Sequence, residues 1–115
     1  MILILGGAAS GKYTYLASLG YRPEEIADGV LDDNKVLYGL EKLVAAVPEH
    51  ADDLLPALLA KEAVACCEVG SGVIPLHYEQ RRAREATGRL CMQLAARADK
   101  VVRLVAGIPV VIKGA

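Results

Sequence analysis

The chain opens on Met1-Ile2-Leu3-Ile4-Leu5, five apolar residues without a polar interruption, and then meets Gly6-Gly7. Such a run predicts a strand buried on both faces, because a strand with one wet face would alternate. Lys12 to Leu19 predicts a short helix, with Gly20 just past its end and Pro23 beyond it. Ile26 to Leu31 predicts a second strand ending in Asp32-Asp33, with Asp28 and Gly29 as its weak points. From Lys35, the apolar residues Val36, Leu37, Leu40, Leu43, Val44 and Val47 trace one helical face, stopped by Pro48. A further helix is predicted from Asp53 as N-cap, with Pro56 in its first turn, where the missing N–H costs no intrahelical bond. Ala63 to Val69 predicts the next strand, broken by Gly70-Ser71-Gly72 and Pro75. The longest helix is predicted over His77 to Ala98, with Ala83, Ala86, Leu90, Leu94 and Ala98 on one stripe. Val101 to Val105 and Val110 to Lys113 predict a terminal hairpin around Ala106-Gly107-Ile108-Pro109. Strand alternating with helix is the pattern of a parallel sheet wrapped by helices, so the chain reads as one α/β domain.

The length of 115 residues suits one core, with no need of a metal or disulfide staple. Lys plus Arg number 13 and Asp plus Glu 14, for a net charge of −1. That balance argues against a broad electrostatic footprint for nucleic acid or an anionic membrane. The hydrophobic fraction of 54% and mean hydropathy of +0.33 are high, which Ala-rich helices and an apolar subunit interface in a homo-oligomer would explain. No uncharged apolar run approaches the ~18 residues of a membrane span. The opening strand lacks the basic leader of a secretory signal. Three cysteines show no ligand-like spacing or disulfide framework, which fits buried thiols in a reducing cytoplasm. Cys66 and Cys67 should point to opposite faces of their strand.

The strongest local chemistry is Gly6-Gly7-Ala8-Ala9-Ser10-Gly11-Lys12, a Gly-x-x-x-x-Gly-Lys phosphate loop between a buried strand and a helix. Small residues let successive N–H groups turn inward as an anion nest, the helix dipole adds to the field, and Lys12 can bridge terminal phosphates. Tyr13 stands where Ser or Thr normally ligates Mg²⁺, and a phenol oxygen lies too far from Cβ to substitute. Thr14 points about 100° around the helix from that position. The loop therefore suits phosphate binding better than metal positioning. Tyr13, Tyr15 and Tyr21 around the first helix either stack a base or fill a core that has no Phe or Trp. Arg81, Arg82, Arg84 and Arg89, interleaved with Glu79 and Glu85, read as a solvated helix face or as structural ion pairs.

Three stretches together resemble the bifunctional adenosylcobinamide kinase/adenosylcobinamide-phosphate guanylyltransferase family of cobalamin biosynthesis. They are the loop ending in Lys12; Glu68-Val69-Gly70-Ser71-Gly72-Val73-Ile74-Pro75; and the long helix with its exit, carrying Arg81, Arg84, Gly88-Arg89, Ala98-Asp99, Val101, Leu104 and Gly107-Ile108-Pro109. Tyr13 replaces the family's Ser and Ala9 its Arg, while Cys91-Met92 replaces an Asn-Gln pair and Leu76-His77 a Glu-Asn pair. The stretch before Glu68 is shorter than in the family and lacks the segment that carries its guanylyl-accepting histidine. The resemblance places that deletion between Gly20 and Asp28, and neither His50 nor His77 stands at the acceptor's position.

The resemblance implies a three-layer P-loop NTPase (RecA-like) sandwich, a mostly parallel sheet with a C-terminal hairpin. It implies GTP or ATP as nucleotide and adenosylcobinamide as the corrinoid phosphoryl acceptor. Within that reading Lys12 and Glu68 are the catalytic candidates, and Gly6, Gly7, Ala8, Ala9, Ser10, Gly11, Lys12 and Tyr13 hold the phosphates. Asp32 or Asp33 could hold Mg²⁺ through water at a strand end, and Asp33 equally suits a helix N-cap ahead of Val36. With the histidine segment gone, the guanylyltransferase half is expected to be absent. The alternative is a degenerate loop protein without turnover, acting as an interaction or regulatory subunit.

Overall fold

The computed structural model describes residues 1–68 and 78–114. Its elements run β1 (Ile2–Gly6), α1 (Lys12–Ser18), a 3-10 turn (Pro23–Glu25), β2 (Ile26–Asp28), β3 (Val36–Tyr38), α2 (Leu40–Ala46), a 3-10 segment (Pro48–Leu54) and α3 (Leu55–Leu59). They continue through β4 (Ala63–Cys67), α4 (Tyr78–Arg97), β5 (Lys100–Val105) and β6 (Ile108–Lys113). The six strands form one sheet in the order β2-β3-β4-β1-β5-β6, parallel except for β6. The protein is thus a mixed α/β fold on a mostly parallel sheet, as the alternation of periods predicts. The break at residues 70–75, Val69 and His77 lie outside the described residues.

Burial explains why β1 is unbroken in apolar residues. Leu3 and Ile4 are both fully buried on opposite faces of the sheet. Leu3 joins Leu37, Val64, Cys66 and Val101 under α2, α3 and α4, which contribute Leu40, Val44, Leu58, Leu90 and Leu94. Ile4 joins Val36, Ala63, Ala65 and Leu104 under Leu16 of α1. Each buried Leu of this kind contributes about 1.5–3 kcal/mol through the hydrophobic effect. Helices therefore cover both faces, α1 on one and the other three on its opposite.

The predicted helix over residues 36–47 is corrected to a strand and a shorter helix. Val36 and Leu37 are adjacent and both fully buried, one on each face of the sheet, which is a strand's pattern. Gly39 then takes φ +74°, a left-handed conformation that ends β3 and starts α2, and a Cβ there would lie 2.5 Å from Asp28 Oδ1. The predicted strand over residues 26–31 contracts to Ile26–Asp28, so its acidic end is Asp28 rather than Asp32-Asp33. β2 and β3 are parallel neighbours joined by residues 29–35 without a helix, shorter than the dozen or more residues such a crossover usually takes. The helix predicted from Asp53 starts at Leu55, with Pro56 in its first turn, and a 3-10 segment precedes it.

At the far end of the chain, Ala106 and Gly107 both have positive φ, 50° and 80°, and close a two-residue hairpin between β5 and β6. Lys113 donates to the carbonyls of Ala95 and Ala96 at 3.0 and 2.9 Å, capping the last turn of α4.

Candidate functional site

The parallel strands bring Gly6, Cys67 and Leu104 into line at the carboxyl edge of the sheet. The glycine loop springs from that edge. The chain doubles back there: Ser10 N–H donates to the Gly7 carbonyl at 3.2 Å, and a Cβ on Gly6 would lie 2.3 Å from the Ser10 hydroxyl. Ala9 takes φ +57° and Gly11 φ +96°, two left-handed residues of the kind from which anion-binding nests are built. Gly11 is the N-cap of α1, and a Cβ there would meet the Gly107 Cα at 3.3 Å. Gly107 N–H in turn donates to the Ser10 carbonyl at 2.9 Å, so the β5–β6 turn buttresses the loop.

Lys12 is 5% exposed, and its ammonium donates to the carbonyls of Gly6 and Gly7 at 3.1 and 2.7 Å. Two of its three donors are thus held by the loop itself. The Ser10 hydroxyl is buried and has no hydrogen-bond partner among the described residues. An orphaned hydroxyl of that kind costs free energy until something polar meets it. The Tyr13 ring packs against β3. It stands edge-on to Tyr38, with centroids 5.6 Å apart and planes at 78°.

Glu68 follows β4 at the same edge. Its N–H donates to the Gly6 carbonyl at 2.8 Å, and its carboxylate receives a forked pair from Arg103, Nε to Oε1 at 2.6 Å and Nη2 to Oε2 at 3.1 Å. The carboxylate raises the Arg103 guanidinium's already high pKa further. Arg103 escaped the sequence reading; its signal was a cation set between Val102 and Leu104 in a stretch that is otherwise apolar from Val101 to Val105.

Two further carboxylates at this edge were also missed. Glu41, in the first turn of α2, accepts the Cys67 N–H at 2.9 Å, supplying an acceptor where β3 has ended. Asp28, at the end of β2, is held by Lys42 at 3.0 and 3.1 Å, and the carboxylate raises the lysine's pKa. Burial first, then Asp28 and Glu41, push the nearby Tyr38 phenol up. The Asp-Gly step at 28–29 was the available signal for a strand end.

Asp32 and Asp33 are not brought to this edge. Lys61, just before β4, donates to the carbonyls of Asp32 and Asn34, and Val36 pairs in register with Ala63 at the start of β4. Both aspartates therefore lie by the amino edge of the sheet, about 13 Å of strand away from Gly6. The Asp32 carboxylate accepts the Asn34 N–H at 2.8 Å, a local turn contact. Neither aspartate caps a helix ahead of Val36, because Val36 begins a strand.

These features define a mixed α/β protein with a glycine loop and a buried lysine at the carboxyl edge of a mostly parallel sheet. The chain belongs to the cobinamide kinase / cobinamide phosphate guanyltransferase family, whose model matches residues 30–112. The match begins after the glycine loop, so the reading of the loop rests on its own residues. No curated protein matches the chain. Among the described residues, no helix is long and apolar enough to cross a membrane, and no group of three or more His, Cys, Asp or Glu side chains could hold a metal ion.

Proposed function

We propose that the chain binds the polyphosphate of GTP or ATP in the loop from Gly6 to Lys12, as a nucleotide-binding domain of the P-loop type. In this reading it transfers the γ-phosphoryl group to the hydroxyl of a corrinoid of the cobinamide kind. The observation that carries this reading is Lys12: an ammonium buried at the end of β1 and held in place by two loop carbonyls. Exchanging those neutral acceptors for phosphate oxygens gives shorter, charge-assisted hydrogen bonds. Ala8, Ala9 and Gly11 offer backbone N–H groups to the same anion, and the orphaned Ser10 hydroxyl gains a partner. The acceptor oxygen then bonds to the γ-phosphorus as the bond to the β-bridging oxygen breaks and the nucleoside diphosphate leaves. Lys12 offsets the charge that develops on the phosphoryl oxygens. Glu68, fixed by Arg103 at the same edge, is the carboxylate placed to receive the acceptor's proton.

The described residues do not make a site for magnesium. Tyr13 has its ring against Tyr38, and Asp32 and Asp33 lie at the opposite edge, so no step here runs through the metal. The guanylyltransferase half is absent in this reading. His50 lies in the 3-10 segment on the α2–α4 side, beside Asp53 at 3.6 Å and open to solvent. The exposed apolar residues Ile108, Val110, Val111 and Ile112 on the edge strand β6 support self-association.

The alternative, a loop that binds nucleotide without turnover, is favoured by Tyr13, whose ring is engaged with Tyr38. Calorimetry with GTP and ATP, with and without Mg²⁺, followed by a cobinamide phosphorylation assay, tests both readings. Binding lost in Lys12→Ala together with turnover supports the kinase. Binding without turnover supports the alternative, and no binding of either nucleotide removes both. Covalent label from α-³²P-GTP on the folded chain would restore the guanylyl step.

A further inference from the structure

A glycine loop of this kind ordinarily holds magnesium beside the phosphates through a hydroxyl directly after the lysine, backed by a carboxylate at a strand end. In this chain the first position is Tyr13, whose ring stands edge-on to Tyr38 of β3 with centroids 5.6 Å apart. The carboxylates of Asp28, Glu41 and Glu68, at the carboxyl edge, are already engaged. Asp28 is clasped by Lys42 at 3.0 and 3.1 Å, Glu41 accepts the Cys67 N–H at 2.9 Å, and Glu68 lies in the Arg103 fork. A metal would have to compete with these partners, two of which are full cations. Among the described residues, no three His, Cys, Asp or Glu side chains are grouped so as to hold an ion.

The positive side of the site needs no metal to complete it. Lys12 is buried and fixed by the Gly6 and Gly7 carbonyls, and the loop adds N–H dipoles at the start of α1. Magnesium on a polyphosphate cancels much of the negative charge that an ammonium and such dipoles attract. A loop that ligates the metal recovers that loss. This one has no free ligand to offer in return, and Mg²⁺ gives up its water reluctantly. We infer, on the nucleotide-binding reading above, that the loop takes a nucleoside triphosphate as its metal-free polyanion, and that magnesium does not tighten the complex. By linkage, the protein then does not tighten the nucleotide's hold on magnesium either.

The test is calorimetry of the folded chain with GTP and with ATP, in EDTA and in saturating Mg²⁺, at one ionic strength so that screening is constant. The dissociation constant in EDTA should equal or fall below that in magnesium. A magnesium-sensitive dye should show free Mg²⁺ constant or rising as the protein is added to the magnesium nucleotide. Tyr13→Ser restores a hydroxyl at a position that is 42% exposed, so the fold should survive the loss of the ring. In that variant Mg²⁺ should tighten binding by about fivefold or more, the low end of ordinary coupling between two ligands. Wild-type binding that is tighter in magnesium, or free Mg²⁺ that falls as protein is added, would overturn the inference and leave the nucleotide reading standing. A Tyr13→Ser variant as indifferent to the metal as wild type would overturn Tyr13 as the cause. Binding of neither nucleotide in either medium would remove the nucleotide reading, and the inference with it.

Discussion

The Gly6 carbonyl oxygen accepts both the Lys12 ammonium, at 3.1 Å, and the Glu68 amide, at 2.8 Å, so the two candidate catalytic residues are tied to one atom at the end of β1. Residues far apart in sequence are thereby fixed relative to each other through backbone. Glu68's carboxylate is fixed from the other side, by the Arg103 fork.

Arg103 is accordingly a positioning residue for Glu68. The Arg103 side chain is 51% exposed and that of Glu68 26%, so Arg103→Ala should lower the urea midpoint only modestly. Phosphoryl transfer should fall by about tenfold or more as Glu68 loses its orientation. Arg103→Lys should restore only part of that loss, because an ammonium cannot reproduce the two-pronged contact. Wild-type turnover in Arg103→Ala, measured beside the urea melt, would remove Glu68's fixed orientation from the mechanism.

Gly11→Ala tests the loop's geometry without touching a charge. At φ +96° a methyl group is strained, and here it would also press on the Gly107 Cα at 3.3 Å. The substitution should cost about 1–2 kcal/mol in urea unfolding with an unchanged m-value. It should also weaken nucleotide binding, since the loop backbone around Gly11 must shift. Equal stability and affinity to wild type would mean that the loop tolerates an ordinary residue and that its left-handed turn is not required.

Much of this architecture can be read from the sequence, and the misses have separate causes. β1 was legible because five consecutive apolar residues leave no solvent face, and the C-terminal hairpin because Ala106-Gly107 interrupts two apolar runs. β3 was not, because Val36 and Leu37 continue into Leu40 and Val44 at helical spacing, and only the Gly39 conformation separates the two periods. A separate reading, β2 carried on to Leu31, put the acidic strand end at Asp32-Asp33, which lie by the amino edge of the sheet, whereas β2 ends at Asp28. The loop and Lys12 were visible as local spacing. Arg103 and Glu41 were not, because their contacts with Glu68 and Cys67 depend on which strands become neighbours.

Acid stability should report on the turn that leads into β2. Glu25 accepts the Arg22 N–H at 3.0 Å and pairs with Lys35 at 3.0 Å. The backbone bond first, and then Lys35, hold its carboxyl at about 2, against an ordinary value of 4.5. A carboxyl that is more acidic when folded favours the native state while both forms are ionised, above the unfolded value. That contribution is lost as pH falls through the window from about 4.5 to about 2, where the unfolded chain takes up the proton first. Asp99, lowered by the Met1 ammonium, adds a slope of the same sign at low pH. Glu25→Gln should therefore flatten, without abolishing, the fall in urea midpoint between pH 5 and pH 2, and should leave the contribution of Asp99 in place. A variant whose midpoint falls as steeply as wild type across that window would show that the Arg22 and Lys35 contacts persist in the unfolded chain or are absent from the folded one.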